Sequence, residues 1–111
     1  MAQAIFRHDG GSIDYTPTVD VAAGDVIVQG ELVGVAKLDI KANTLGALAV
    51  MGVFDFAKAT GGGTAITAGA NVYWDNTNKV ATTTATGNKL IGKCGKAAAD
   101  ADATVRVRMM Q

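Results

Sequence analysis

The stretch from Gly69 to Gly92 leaves this chain few folds to choose from. Val72, Tyr73 and Trp74 are strong strand formers, Asp75-Asn76-Thr77-Asn78 is a cluster of turn residues, and Val80 to Thr84 resumes a β-branched run. That pattern is a hairpin with a four-residue connection. Gly87-Asn88 supplies a second turn ahead of a strand beginning at Lys89. Strands joined by tight turns make a meander, whose apolar face must be covered by another layer or by closure of the sheet. Tyr73 and Trp74 are adjacent, so they point to opposite faces; one belongs to the core and the other to a rim or a partner.

The same pattern runs through the rest of the chain. Ser12 to Thr16 alternates as a short strand, ended or placed on an edge by Pro17. Val26-Ile27-Val28-Gln29 and Leu32 to Leu38 read as strands around a Gly30-Glu31 turn, with Gly34 marking a bulge or a close backbone approach. Ala47 to Phe56 is strongly apolar and interrupted only by Gly52 and Asp55, and Thr104 to Met109 alternates cleanly. Ala57 to Thr60 suggests a helical turn, and Gly61-Gly62-Gly63 is the most flexible point. Ala97 to Ala103 has helix propensity but is too short to hold a helix alone. About eight short strands at roughly ten-residue spacing predict an all-β fold, a small barrel or sandwich with little helix. Residues 1–11, ending in Asp9-Gly10-Gly11, read as a flexible N-terminal arm, and residues 12–111 as a single β domain.

The two halves resemble each other. Ala23-Gly24-Asp25-Val26 recurs as Ala68-Gly69-Ala70-Asn71-Val72 with one inserted residue, and Leu32-Val33-Gly34 recurs as Leu90-Ile91-Gly92. Leu48-Ala49-Val50-Met51 lines up with Val105-Arg106-Val107-Arg108. The halves therefore read as two pseudo-repeated β units, the second with a hairpin lengthened at Tyr73-Trp74.

Composition narrows the function. Ten cations balance ten anions, which gives no electrostatic ground for a nucleic-acid partner. No apolar run is long enough to span a membrane as a helix. Of the 54 hydrophobic residues 20 are Ala, so the core buries little area per residue and oligomerisation is the expected source of further stability. The lone Cys94 makes no intrachain disulfide and reads as a small buried apolar side chain.

A series of residues carries a family resemblance: Ile13-Asp14-Tyr15-Thr16, Gly24-Asp25-Val26, Leu32-Val33-Gly34-Val35-Ala36, Gly52 to Ala59, Ala68-Gly69 with Val72-Tyr73-Trp74-Asp75, Leu90-Ile91-Gly92 and Ala103 to Val107. In order and spacing this resembles the small capsid cement, or decoration, proteins of tailed bacteriophages, a domain family sometimes mislabelled as recombinases. The resemblance implies a β-rich, non-enzymatic structural protein without cofactors or a small-molecule substrate. It implies a common trimeric state and a place on the virion surface, against the major capsid protein, after synthesis in the host bacterial cytoplasm. Ile5, Phe6 and Arg7 are the candidate capsid-binding residues, by strand addition, and Tyr73 and Trp74 the candidate oligomer or packing contacts. The alternative is a head-fibre base or carbohydrate-binding β module using an exposed Trp74.

Chemistry-bearing motifs are weak throughout. Gly87-Asn88-Lys89-Leu90-Ile91-Gly92-Lys93-Cys94 matches a phosphate-binding loop except that Cys94 stands where a Ser or Thr hydroxyl holds magnesium, and the context is a strand rather than a helix start. His8 is the only histidine, which excludes a histidine metal cluster. Asp100 and Asp102 read as solvated turn carboxylates, and Arg106 and Arg108 as the solvated face of the last strand, with contact to an acidic capsid surface as the alternative.

Overall fold

The structure, a computed structural model, describes residues 3–111; residues 1 and 2 of the expected arm lie outside the described residues. It contains nine strands: β1 (Ser12–Tyr15), β2 (Val26–Gln29), β3 (Leu32–Val35), β4 (Gly46–Ala49), β5 (Gly52–Ala57), β6 (Asn71–Asp75), β7 (Val80–Thr82), β8 (Lys89–Lys96) and β9 (Thr104–Met109). They form two antiparallel sheets in the orders β1-β4-β3-β2 and β5-β9-β8-β6-β7. The all-β expectation holds, and the fold is sandwich-like rather than a closed barrel. The second sheet curls until a single parallel bridge, Lys58 to Ala81, links the chain just past β5 to β7, and it goes no further.

The helical turn expected at Ala57 to Thr60 does not form, Ala97 to Ala103 holds no helix, as its shortness implied, and no residue among those described is helical. Lys58 is drawn into that bridge, and Ala98 bridges to Ile66 ahead of a turn closed by the Asp102 carboxylate, which accepts from Ala99 N at 2.8 Å. Tertiary pairing outweighs the propensity of short Ala-rich runs. The long apolar run from Ala47 to Phe56 is two strands in different sheets. Val50 N donates to Gly11 O at 3.0 Å, and Gly52, at φ 114°, redirects the chain in a conformation that suits glycine.

The two halves share one topology. Reading β1, β2, β3 and β4 as β5, β6, β8 and β9 turns the order of the first sheet into that of the second, with β7 added outside β6. Register makes the match residue by residue around the inner hairpins. Ile27 lies opposite Gly34 as Val72 lies opposite Gly92. The bridge Val21–Ile40 corresponds to Ile66–Ala98. Gly24 N donates to Ala36 O and Ala36 N to Asp25 O, just as Gly69 N donates to Cys94 O and Cys94 N to Ala70 O. Asn71 thus corresponds to Val26, and the one-residue insertion read from sequence disappears. The extra length lies within the β6–β7–β8 meander.

Alternation places the core. In β9, Val105, Val107 and Met109 point inward while Thr104, Arg106 and Arg108 face out. The main core joins these to Phe56, Ile66, Val72, Trp74, Ile91 and Cys94, and Val33 and Val35 of β3 cover it from the first sheet. The opposite face of the first sheet has a smaller cluster of Val21, Ala36, Ile40 and Leu48, with Ile13, Tyr15 and Ile27 against it.

The two sheets are sewn together by side chains as well. Where β3 leaves β4, the Gln111 amide completes the ladder: Val33 N donates to its Oε1 and its Nε2 donates to Val33 O, both at 2.7 Å. Gln111→Ala leaves both backbone groups short of a partner in a half-buried seam. The expected loss is about 1–3 kcal/mol of stability, measured by urea unfolding. Within the second unit Lys58, only 4 % exposed, ties down a loop instead. Its ammonium donates to Ala59 O and the Thr64 hydroxyl, at 2.7 and 3.1 Å, so the Gly61–Gly63 loop is anchored on both flanks.

Candidate functional site

The arm runs without strand pairing from Gln3 to Asp9. Ile5 and Phe6 are 68 % and 80 % exposed, and Arg7 is exposed beside them. Two large apolar side chains on an unpaired backbone are the kind of segment that gains contacts only from another molecule. The arm feeds directly into β1, which pairs with β4 on one side and lies at the sheet edge on the other. At its foot lies an apolar groove of about 390 Å³, lined by Ser12, Ile40, Ala47 and the exposed Leu38 and Leu45.

Tyr73 and Trp74 are split as the alternation requires. Trp74 is 3 % exposed, its ring 5.9 Å from Phe56 and its Nε1 donating to Asn76 Oδ1 at 3.2 Å. Tyr73 is half-buried on the outer face, opposite Thr82 and near Leu90. A sugar-stacking platform built on an exposed Trp74 is therefore absent, because the indole is spent on the core. The turn beyond it runs from Asn76 to Lys79, one residue later than expected. The Asp75 carboxylate accepts from Thr77 N, Asn78 N and Asn78 Nδ2, and the Asn78 contacts first of all hold its pKa below the ordinary value.

The phosphate-loop look-alike forms no cradle. Lys89 to Lys96 is strand β8, whose backbone pairs with β6 and β9. Cys94 is buried, its thiol donating to Lys96 O at 3.1 Å. Asp100 accepts from Thr64 N and Ala65 N, so it caps a loop. Among the described residues no three metal-ligating side chains cluster.

The outer face of the second sheet holds what sequence reading missed. Arg106 donates through Nε and Nη2 to Asp55 at 3.0 and 3.3 Å; these hydrogen bonds lower the pKa of Asp55 and raise that of Arg106. Beside them Lys93 lies directly opposite Arg108, and Lys96 opposite Arg106. Alternation along β9 showed the arginines to be on one face. It could not show which residues of the neighbouring strand they would meet.

The distinctive features of this sandwich are surfaces rather than a cleft: an apolar arm at one sheet edge and a cationic sheet face. The chain belongs to the phage cement protein family, whose model matches residues 7–109. No curated protein and no solved structure matches it. Its class is therefore a structural protein of the phage capsid, and its place is the virion.

Proposed function

We propose that the protein binds the outside of the assembled phage head and stabilises it, without catalysis, as a homotrimer bridging neighbouring copies of the major capsid protein. The observation that carries this reading is the exposed Ile5-Phe6-Arg7 arm, leading into an edge strand beside the Leu38–Leu45 groove. The chain is made in the host cytoplasm and joins the head once expansion exposes its sites. The arm is mobile in the free protein and orders on the capsid by adding a strand to an exposed edge, with Ile5 and Phe6 entering apolar pockets and Arg7 meeting a carboxylate. A ligand that binds the expanded shell and not its precursor stabilises the expanded state by mass action, more steeply as its concentration exceeds the dissociation constant. Tyr73, half-buried on the outer face, is the aromatic available to a neighbouring molecule; Trp74 acts through packing.

Deleting residues 2–8 tests the reading. The shortened chain is expected to melt within about 2 °C of the full one, since the arm adds no buried core. Its co-sedimentation with undecorated expanded heads is expected to weaken by about tenfold or more, the loss of a few buried apolar contacts. Normal binding by the deleted chain moves attachment from the arm to the body.

A further inference from the structure

A net charge of zero conceals a dipole. Residues 1–50 carry three cations and six anions, and residues 51–111 carry seven cations and four anions, so the first unit is net −3 and the second net +3. The positive excess is concentrated on the outer face of the second sheet. Register lays out two rows there: Val53, Arg108, Lys93 and Asn71 in one, and Asp55, Arg106 and Lys96 in the other. Of the four cations in these rows Arg106 is the one that pairs with a carboxylate among the described residues, Asp55, whose charge Lys96 also feels. Lys93 leans on the neutral Asn71 side chain. Like charges directly opposite in a sheet destabilise it; Lys93 and Arg108 are such a pair with no ion-pair partner among the described residues, whereas Asp55 offsets Lys96 and Arg106. A fold that keeps them on a half-apolar face gains from an acidic partner that neutralises them.

The chain itself supplies that chemistry. Asp20, Asp25 and Asp39 rim one depression of the first unit, where they outnumber its one cation, Lys41. Each carboxylate spends one oxygen on a backbone N–H, of Ala42, Ala22 and Ala23 respectively, at 2.8–3.0 Å. The groups are thereby fixed in place, with their second oxygens left over. We propose that the cationic face of β8 and β9 docks on the Asp20–Asp25–Asp39 rim of a second copy of this chain, head to tail. The contact joins different surfaces of identical chains, so it propagates around a ring and closes if the rotation allows. A nucleic acid would meet the same cations but be repelled by the net-negative first unit, which favours the second copy as occupant. This inference rests on the self-association proposed above and is independent of where the arm attaches.

The test is sedimentation of the full chain across salt and charge variants. Self-association is expected to weaken about tenfold or more between about 50 mM and about 500 mM salt. Lys93→Glu/Arg108→Glu is expected to weaken it by at least as much at low salt. Adding Asp20→Lys and Asp39→Lys to that variant reverses both surfaces and is expected to restore association. Should that fourfold variant melt early, Asp20→Asn/Asp39→Asn, which keeps an acceptor for Ala42 N and Ala23 N, is expected to weaken association of the otherwise native chain. Association indifferent to salt and to Lys93→Glu/Arg108→Glu overturns the proposal, as does a wild-type chain still monomeric at about 1 mM. If the double variant self-associates normally but no longer binds expanded heads, the face belongs to the capsid contact and the proposal falls while the cement reading stands.

Discussion

Gly92→Ala is expected to remove more than about 3 kcal/mol of stability, a large fraction of what a domain of this size holds. A Cβ at Gly92 would lie 2.0 Å from Arg108 O and 2.8 Å from Met110 N. Both atoms are backbone of the adjacent strand segment, so relief requires β8 and β9 to part at the centre of the main core. The first unit supplies the control. Gly34 occupies the corresponding place opposite Ile27, but its Cβ would meet the Leu48 side chain, at 2.9 Å from Cβ and 3.1 Å from Cδ1. Leu48 Cδ1 can give by a rotamer change and Leu48 Cβ by a small shift of β4, and Gly34→Ala is expected to cost about 1–3 kcal/mol. Urea unfolding of the two variants measures the difference. Equal losses would mean that the two units relax alike and that the backbone contact at Gly92 does not set the cost.

That contrast also shows what could be read from the sequence. Leu32-Val33-Gly34 and Leu90-Ile91-Gly92 announced a repeated unit with a close approach at the glycine, and both glycines do meet a near neighbour. The hairpin at Tyr73-Trp74 and the alternation of β9 were equally legible, because period-two patterning is a local property. What touches what across strands is not local. Ala47 to Phe56 reads as one apolar run, since Gly52 marks a break in it without saying that the chain passes there from one sheet to the other. The burial of Lys58 was not legible either, because its ammonium is held by the Thr64 hydroxyl and the Asp100 carbonyl, which the fold brings to it from farther along the chain. The like-charge rows on the second sheet were invisible for the same reason: Lys93 and Arg108 are unremarkable until register sets them face to face. The apolar arm was legible from Ile5 and Phe6 beside two glycines, whereas the Leu38–Leu45 groove below it depends on a loop folding back over β4.

Trp74→Ala is expected to cost about 3–5 kcal/mol and to lower the melting temperature by more than about 10 °C. The indole is the largest side chain of the main core, buried at 3 % exposure and packed on Phe56, which in turn meets Phe54 edge-on at 6.3 Å. The Ala-richness of the chain does not extend to this core, where Ala81 and Ala98 are the only buried alanines among mostly β-branched and aromatic neighbours. Those stiff side chains are held on paired strands and collapse little into the space, so the cavity term is close to its full value. Trp74→Phe separates the two things the indole does. It keeps most of the buried area but gives up the hydrogen bond from Nε1 to Asn76 Oδ1, and is expected to cost about 1–2 kcal/mol. The turn residue is not stranded by this loss, because Asn76 Oδ1 also accepts from Lys79 Nζ at 2.8 Å. Melting curves for the two variants beside the arm deletion place the effects in separate parts of the molecule. Trp74→Ala is expected to act on the body, with any weakening of head binding tracking the unfolded fraction; the arm deletion is expected to leave the body intact and to weaken binding directly. A Trp74→Ala chain that melts like the parent would mean that the aromatic cluster contributes little and that stability resides in the β8–β9 ladder instead.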